Sequence, residues 1–319
     1  MSTLLELLKD GRFHSGQALG EALGVSRSAI WKQLQLLEVE LGLVIHKVRG
    51  RGYQLASPIA LLSSSEIIRH SSGDAWCIQI HDSIDSTNAE ALRSIERGIP
   101  APLLVLAERQ TAGRGRRGRK WVSPFAENIY YSLVLRIERG MRQLEGLSLV
   151  VGLAVMHTLK ECGVPGAGLK WPNDILVGQK KIAGVLLELV GDPADVCHVV
   201  LGVGINVNMQ LTEEVDQEWT SVRLQSGKLV DRNHLIARLN EVLAGYLERH
   251  RFEGFSAIQE EWERHHLWQG CSVTLIAGVH SVTGTVLGID RQGALRLNVA
   301  DEEKVFSGGE LSLRLRDES

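Results

Sequence analysis

The sequence predicts an α+β chain built as three successive units. Three observations support this. A helical start ends in a short hairpin, a long middle mixes strands and helices without regular alternation, and a tail is made of short strands alone. The 319 residues suit two or three units rather than one. With 44% hydrophobic and 23% charged residues, the composition is that of a globular protein with a sizeable core. A net charge of −3 excludes a polybasic binder of nucleic acid, so any such binding needs a local patch.

The first unit, residues 1–58, reads as three helices and a hairpin. Leu4, Leu5, Leu7 and Leu8 stripe the first helix. Ser15 is placed to cap the second, whose apolar face is Ala18, Leu19, Ala22 and Leu23. Gly24-Val25 turns the chain, and Ser26 caps a third helix with a stripe of Ala29, Ile30, Leu34 and Leu37. Val44–Val48 and Tyr53–Leu55 then flank Arg49-Gly50-Arg51-Gly52, a hairpin with a basic tip. This is a winged helix-turn-helix. Away from the third helix's stripe stand Arg27, Ser28, Trp31, Lys32 and Gln35, suited to phosphates and base edges in a major groove. With Arg49 and Arg51 they form the candidate DNA surface. From Ser26 to Tyr53 five basic residues face two acidic ones, a local +3. The rival reading is a protein-interaction module. Trp31 suits either a groove contact or packing on a neighbouring domain.

Ala56-Ser57-Pro58 reads as a linker. In the middle unit, residues 59–267, strands are predicted at Cys77–His81, Leu103–Ala107, Ile129–Leu135, Asp174–Val177, Lys181–Val190 and Val199–Asn206. Helices are predicted at Asn88–Arg97, Leu147–Cys162, Arg232–Arg251 and Ala257–Arg264. The tail, residues 268–319, carries strands at Ser272–Ile276, Thr283–Ile289, Ala294–Val299, Lys304–Phe306 and Leu311–Leu315, as in a small β-barrel.

Cys77, Cys162, Cys197 and Cys271 form no C-x-x-C pair and no zinc pattern, and read as reduced, mostly buried thiols of a cytoplasmic protein. No metal site is expected from the protein itself. The N-terminus lacks the features of a signal peptide, and no apolar run approaches a membrane span.

The most informative stretch runs from Gln110 to Trp121. Its glycines Gly113, Gly115 and Gly118 let the backbone approach a ligand, while Arg114, Arg116, Arg117, Arg119 and Lys120 supply charge for phosphates. It is neither a Walker A loop nor a Rossmann fingerprint. By composition alone an RNA-binding patch fits equally. Further along, Lys170-Trp171-Pro172-Asn173-Asp174 sets a rigid pair beside an amide and a carboxylate; its plainer reading is a turn. Lys180-Lys181 opens an apolar strand, where a lysine either snorkels to solvent or aims at an anion. Ser86-Thr87-Asn88 either caps a helix or bonds a polar ligand. Gly202-Val203-Gly204-Ile205-Asn206 ends a strand on an amide.

These four ordered motifs, Ser86-Thr87-Asn88, GRGRRGRKW, KWPND and KKIAGVLLE, resemble those of the biotin–protein ligase family, over essentially the whole chain. With the winged helix in front, the resemblance is to the bifunctional type that is also a repressor of biotin biosynthesis genes, and it implies an SH3-like C-terminal barrel. It implies that biotin and MgATP form biotinyl-5′-AMP, and that biotin then passes to a lysine of the biotin carboxyl carrier protein of acetyl-CoA carboxylase. It further implies that Ser86, Thr87, Asn88, Gln110, Arg114, Gly115, Arg116 and Lys181 surround biotin, with Lys181 and Arg116 offsetting charge in the reaction. Gly113, Arg117, Arg119, Trp121, Lys170, Asn173, Asp174 and Asn206 are expected around ATP and the adenylate, Trp121 against adenine and Asn206 at its edge. A mobile Gly113–Lys120 loop is expected to close over the adenylate. Biotinyl-5′-AMP as corepressor is expected to favour a homodimer on operator DNA. A DNA-binding sensor without catalysis and a lipoate ligase are the rival readings.

Overall fold

A computed structural model describes residues 2–73, 76–138, 140–192, 195–212, 214–308 and 311–316, the side chains of Ser2 and Met141 apart. The first unit consists of α1 (Ser2–Leu8), α2 (Gly16–Leu23), α3 (Arg27–Leu41) and the antiparallel hairpin β1 (Ile45–Val48) and β2 (Gly52–Leu55). Both predicted caps form. Ser15 Oγ accepts from the Ala18 N–H at 3.0 Å and Ser26 Oγ from the Ala29 N–H at 3.2 Å. Gly24 between them takes a left-handed φ of 65°, which a glycine adopts without strain. The α2 face differs from the predicted one: Leu19, Gly16 and Gly20 are buried, whereas Ala18 and Ala22 are exposed. A Cβ on Gly20 would lie 2.7 Å from the Val25 carbonyl oxygen, so it is the glycines, not the alanines, that let the turn fold back.

The central unit holds a seven-stranded sheet in the order β3 (Cys77–His81), β4 (Leu103–Ala107), β5 (Ile129–Ile137), β9 (Cys197–Ile205), β8 (Lys180–Val190), β7 (Asp174–Val177), β6 (Ala167–Lys170). Only the β3–β4 pair is parallel; every other neighbouring pair is antiparallel, as expected for an α+β sheet. Helices α6 (Leu147–Glu161) and α8 (Arg232–Glu253) pack together over one face. On the other face α5 (Thr87–Glu96) covers Val105, Val134 and Val200 and leaves the β8–β9 end open. The smaller helices α4 (Ser64–His70), α7 (Val222–Ser226) and α9 (Gln259–Arg264) complete the unit.

Strands β10 (Ser272–Ala277), β11 (His280–Ile289), β12 (Leu295–Val299), β13 (Glu302–Phe306) and β14 (Leu311–Leu315) form the expected C-terminal sheet of the SH3-like kind, antiparallel in the order β13-β12-β11-β10-β14. Its core is continuous with that of the central unit, Val273, Leu275 and Leu295 joining α6 and α9 in one cluster.

The first unit is tied to the second through backbone and core, the Ile59 N–H donating to the Lys9 carbonyl at 3.0 Å. Phe125 and Ala126 leave the central unit to join the winged-helix core of Leu8, Leu19, Ile30 and Leu34. Within the central unit, just behind the linker, Arg232 and Glu108 pair at 2.6 Å with side-chain exposures of 0% and 3%. Arg232 also donates to the Ala60 and Asn128 carbonyls, and Glu108 accepts from the Leu62 N–H. The cysteines depart from expectation. All are free thiols, but only Cys197 is buried; Cys77, at the edge strand, is exposed, and Cys162 and Cys271 are half-buried. Among the described residues no helix is long and apolar enough to cross a membrane.

Candidate functional site

The Gly–Arg stretch folds as a short hairpin. The Trp121 N–H donates to the Gly113 carbonyl at 2.9 Å and the Gly115 N–H to the Arg119 carbonyl at 2.7 Å. Its tip is a single 3-10 turn, Arg116–Gly118, in which Arg117 holds a left-handed φ of 60°, a conformation that costs an L-residue roughly 1–2 kcal/mol. The stretch expected to close over the adenylate thus takes the form of a hairpin paired at both hinges. Gly113 belongs to the hinge and does not line the cleft: a Cβ there would lie 2.5 Å from the Trp121 carbonyl oxygen and 2.9 Å from Gln110 Nε2.

Two adjoining pockets lie beneath this hairpin. The smaller, about 50 Å³, is polar at its closed end, with Ser86, Thr87, Asn88 and Gln110 against Gly202 and Gly204. Ser86 is the N-cap residue of α5 but makes no side-chain cap bond, so the plain capping reading fails and its buried hydroxyl is left to the pocket. Gln110 Oε1 accepts from the Thr87 N–H at 2.8 Å, and its Nε2 donates to Ser123 Oγ at 3.0 Å. Asn88 sits over Gly202, where a Cβ would approach its Oδ1 to 2.4 Å.

The larger cleft, about 290 Å³, is basic on the hairpin side, with Arg116, Arg117, Arg119 and Lys120. Lys170, Asn173, Asp174, Lys181 and Asn206 also line it, so the cleft gathers every residue expected around the nucleotide except Gly113. Lys181 Nζ lies 2.6 Å from Asp174 Oδ1 and 5.4 Å from the Trp121 ring centre. At 17% exposure it neither snorkels out nor stands alone. Arg116 donates to Asn173 Oδ1 at 2.9 Å. Burial pulls the Arg116 and Lys170 pKa values down, partly opposed by the Asp174 carboxylate. Asn206 donates its amide to the Thr220 carbonyl at 3.0 Å, so at least one of its N–H groups is used to pin the end of β9.

Sequence reasoning missed several groups that line or support the pockets. Ser132 reaches Asn88 Oδ1 at 2.5 Å and Thr87 Oγ1 at 2.8 Å. Glu188 accepts from Asn88 and Arg114. Val215 and Trp219 reach the cleft because Lys181 pairs with the returning backbone at Glu218 and Thr220. Leu311 and Leu313 of β14 close the cleft from the C-terminal sheet, which is anchored by Trp171 Nε1 donating to the Gly293 carbonyl at 3.0 Å. The signal for Ser132 and Glu188 was present: each is a lone polar residue in an otherwise apolar strand run.

On the winged unit, Arg27, Ser28, Trp31, Lys32, Gln35, Arg49 and Arg51 are all exposed. Trp31, 45% exposed, is not packed on a neighbouring domain. Arg51 stacks over Phe13 at 4.1 Å, and Lys47 is paired with Glu38 at 2.6 Å. Among the described residues no cluster of three or more metal-ligating side chains occurs.

Comparison with known proteins agrees with this architecture. Residues 81–206 match the Biotin/lipoate A/B protein ligase family, residues 1–54 an HTH domain, and residues 270–314 the biotin protein ligase C-terminal domain. The bifunctional ligase/repressor BirA of Escherichia coli is 41% identical over 98% of this chain and 96% of its own length. That of Bacillus subtilis is 32% identical over 97% of each. A structure of the biotin protein ligase from Aquifex aeolicus in complex with biotin and ATP superposes with a TM-score of 0.66 at 31% identity, covering 75% of this chain and 99% of that one. The fold and site thus define a ligase with a DNA-binding unit attached. The chain belongs to the biotin–protein ligase family, in its bifunctional ligase/repressor branch.

Proposed function

We propose that this protein joins biotin to ATP as biotinyl-5′-AMP, passes biotin to a lysine of the biotin carboxyl carrier protein, and represses transcription with the adenylate as corepressor. The observation that carries the ligase reading is the wall shared by the two pockets: Gly115, Arg116, Trp121, Asn173 and Lys181 line both. A carboxylate extending from the small pocket and an α-phosphate in the large one meet at that wall.

The chemistry brings two anions together. A biotin carboxylate oxygen forms a bond to the α-phosphorus and pyrophosphate leaves. Lys181 and Arg116, both desolvated, offset the repulsion and stabilise charge on the phosphoryl oxygens. Asp174 holds Lys181 in place until the substrates arrive. The acceptor amine then attacks the acyl carbon and AMP leaves. Ser86, Thr87, Asn88 and Gln110 supply the donors and acceptors that a ureido head requires. Backbone at Arg114, Gly115 and Arg116 covers the bound chain, and Trp121 offers a face to adenine. Mg²⁺ enters with ATP, held by phosphate and water; Asp174, the carboxylate beside Lys181, is already paired. Biotin-dependent ATP–pyrophosphate exchange is the test. Exchange with lipoate instead, or none at all, would sink the reading.

For the repressor, we take residues 1–58 as the DNA-binding unit, 59–267 as the ligase and 268–319 as the barrel. Arg27, Ser28, Trp31, Lys32 and Gln35 face the groove, with Arg49 and Arg51 on the flanking phosphates. The adenylate favours a homodimer, which binds two half-sites together. Operator affinity that is unchanged by biotinyl-5′-AMP at fixed protein concentration would refute this coupling.

A further inference from the structure

We propose that Glu188 is a positioning residue for the ligase site. It fixes the polarity of the biotin-head pocket and anchors the Gly–Arg hairpin to it. The first role rests on the ligase reading for its substrate; the second rests on geometry alone. Glu188 lies on β8 two residues beyond Leu186 and four beyond Gly184, on the face that carries the pocket. One of its oxygens, Oε2, accepts from Asn88 Nδ2 at 2.6 Å and from Arg114 NH2 at 3.2 Å. A single carboxylate therefore touches both the closed end of the pocket and the first arginine of the hairpin.

The pocket's polarity follows from what each partner of Asn88 is able to do. Ser132, at Asn88 Oδ1, is a hydroxyl and both donates and accepts. It would accommodate the amide in either orientation. A carboxylate only accepts, so Glu188 forces the Asn88 nitrogen toward itself and the oxygen toward Ser132. Asn88 is already held sideways by Gly202, where there is no room for a side chain. Orientation is the one freedom left to it, and Glu188 removes that freedom. A head group carrying both N–H and C=O is then read by a partner of fixed sense.

The anchor is electrostatic. Arg114 carries the first side chain after the Gly113 hinge, and its backbone pairs antiparallel with that of Lys120 across the hairpin. Its ion pair with Glu188 is half-exposed, at 44% and 26%. Such a pair contributes little to global stability but still biases a local opening.

Replacing Glu188 by alanine and by glutamine tests both roles, the pocket through KM and the hairpin through cleavage. Glu188→Ala removes both and is expected to raise the KM for biotin in ATP–pyrophosphate exchange roughly tenfold with kcat little changed, since one hydrogen-bonded group loses its partner. It is also expected to speed tryptic cleavage within residues 114–120 of the ligand-free protein. Glu188→Gln offers Asn88 a donor as well as an acceptor, so it no longer dictates the sense of the amide, and it carries no charge for Arg114. Its KM is expected to rise severalfold, less than in Glu188→Ala because an accepting oxygen is still on offer, while cleavage accelerates as in Glu188→Ala. In an Arg114→Gln background, Glu188→Ala is expected to add no further cleavage at the remaining sites. If Glu188→Gln leaves KM at the parent value, or neither variant alters cleavage, the proposal is overturned. Should Glu188→Ala fail to fold, Glu188→Gln against the parent carries both arms. Absence of biotin-dependent exchange in the parent would count against the ligase reading itself, and the cleavage comparison would still judge the anchor.

Discussion

Trp121 fills the space that a side chain at position 204 would need: a Cβ on Gly204 would lie 2.4 Å from Trp121 Cε2. The same ring stands 3.4 Å from where a Cβ on Gly184 would be. Gly204→Ala is therefore expected to push the indole into the nucleotide cleft and raise the KM for ATP on the order of tenfold, with a cost of about 1–3 kcal/mol for overpacking. Steady-state exchange kinetics together with tryptophan fluorescence check this; an unchanged KM for ATP would show that the ring gives way.

Lys181→Ala removes the charge at the shared wall and leaves Asp174 facing the phosphates. Exchange is expected to fall about 10²–10³-fold, the usual cost of one oxyanion-stabilising donor. Thermal stability is expected to change little, because the pair is near the surface of a cleft. A fall in stability that accounted for the whole loss of activity would refute the catalytic assignment.

The Arg232–Glu108 pair is a different case, since neither partner reaches water. Arg232→Met leaves a buried carboxylate unpaired and is expected to cost about 3–5 kcal/mol. Adding Glu108→Gln is expected to restore part of it. Chemical denaturation of the two single variants and the double variant measures the coupling, and strict additivity would mean that the pair does not act as one unit.

His266 lies behind Trp171, accepts from its backbone N–H at 3.4 Å through Nε2 and stacks on Trp262. Burial pushes its pKa from 6.5 down to about 4. A depressed histidine binds fewer protons folded than unfolded, so its contribution is complete above about pH 6.5 and is lost as pH falls toward 4. The loss is expected to reach roughly 3 kcal/mol. His266→Asn should flatten the stability curve across that window; an unaltered slope would assign the acid sensitivity elsewhere.

On the winged unit, Arg49→Ala and Lys32→Ala are each expected to lower operator affinity. Each should also reduce the logarithmic salt slope by about 1 if the side chain neutralises one phosphate. Titrations at several salt concentrations test this. A weakening confined to one operator sequence would instead place that residue on a base edge.

The elements that were legible in the sequence share a property: their signals are local. The caps of α2 and α3, the long stripe of α8 and the apolar runs of β4, β5, β8 and β9 all show within a few residues. What escaped depends on distant partners. Helix α4 buries only Ile67, and β6 begins Ala-Gly, so neither carries a period. Gly113, counted among ligand-binding residues because it is a glycine in a basic loop, is small because Trp121 and Gln110 crowd it. Trp219 enters the cleft only through backbone pairing with Lys181, and Leu313 only because the barrel is docked there. Such placements follow from topology, which a run of residues does not display.

Phe125 stands four positions after Trp121 in the chain and is buried in the core of the winged unit. A gene shortened to encode the ligase alone would therefore not yield a cleanly trimmed enzyme. It would uncover a phenyl ring and an alanine on the segment that leads into the nucleotide cleft, inviting aggregation or a shift of that segment. Anyone building a compact labelling enzyme from this scaffold would have to replace Phe125 with a polar residue and then restore the lost support.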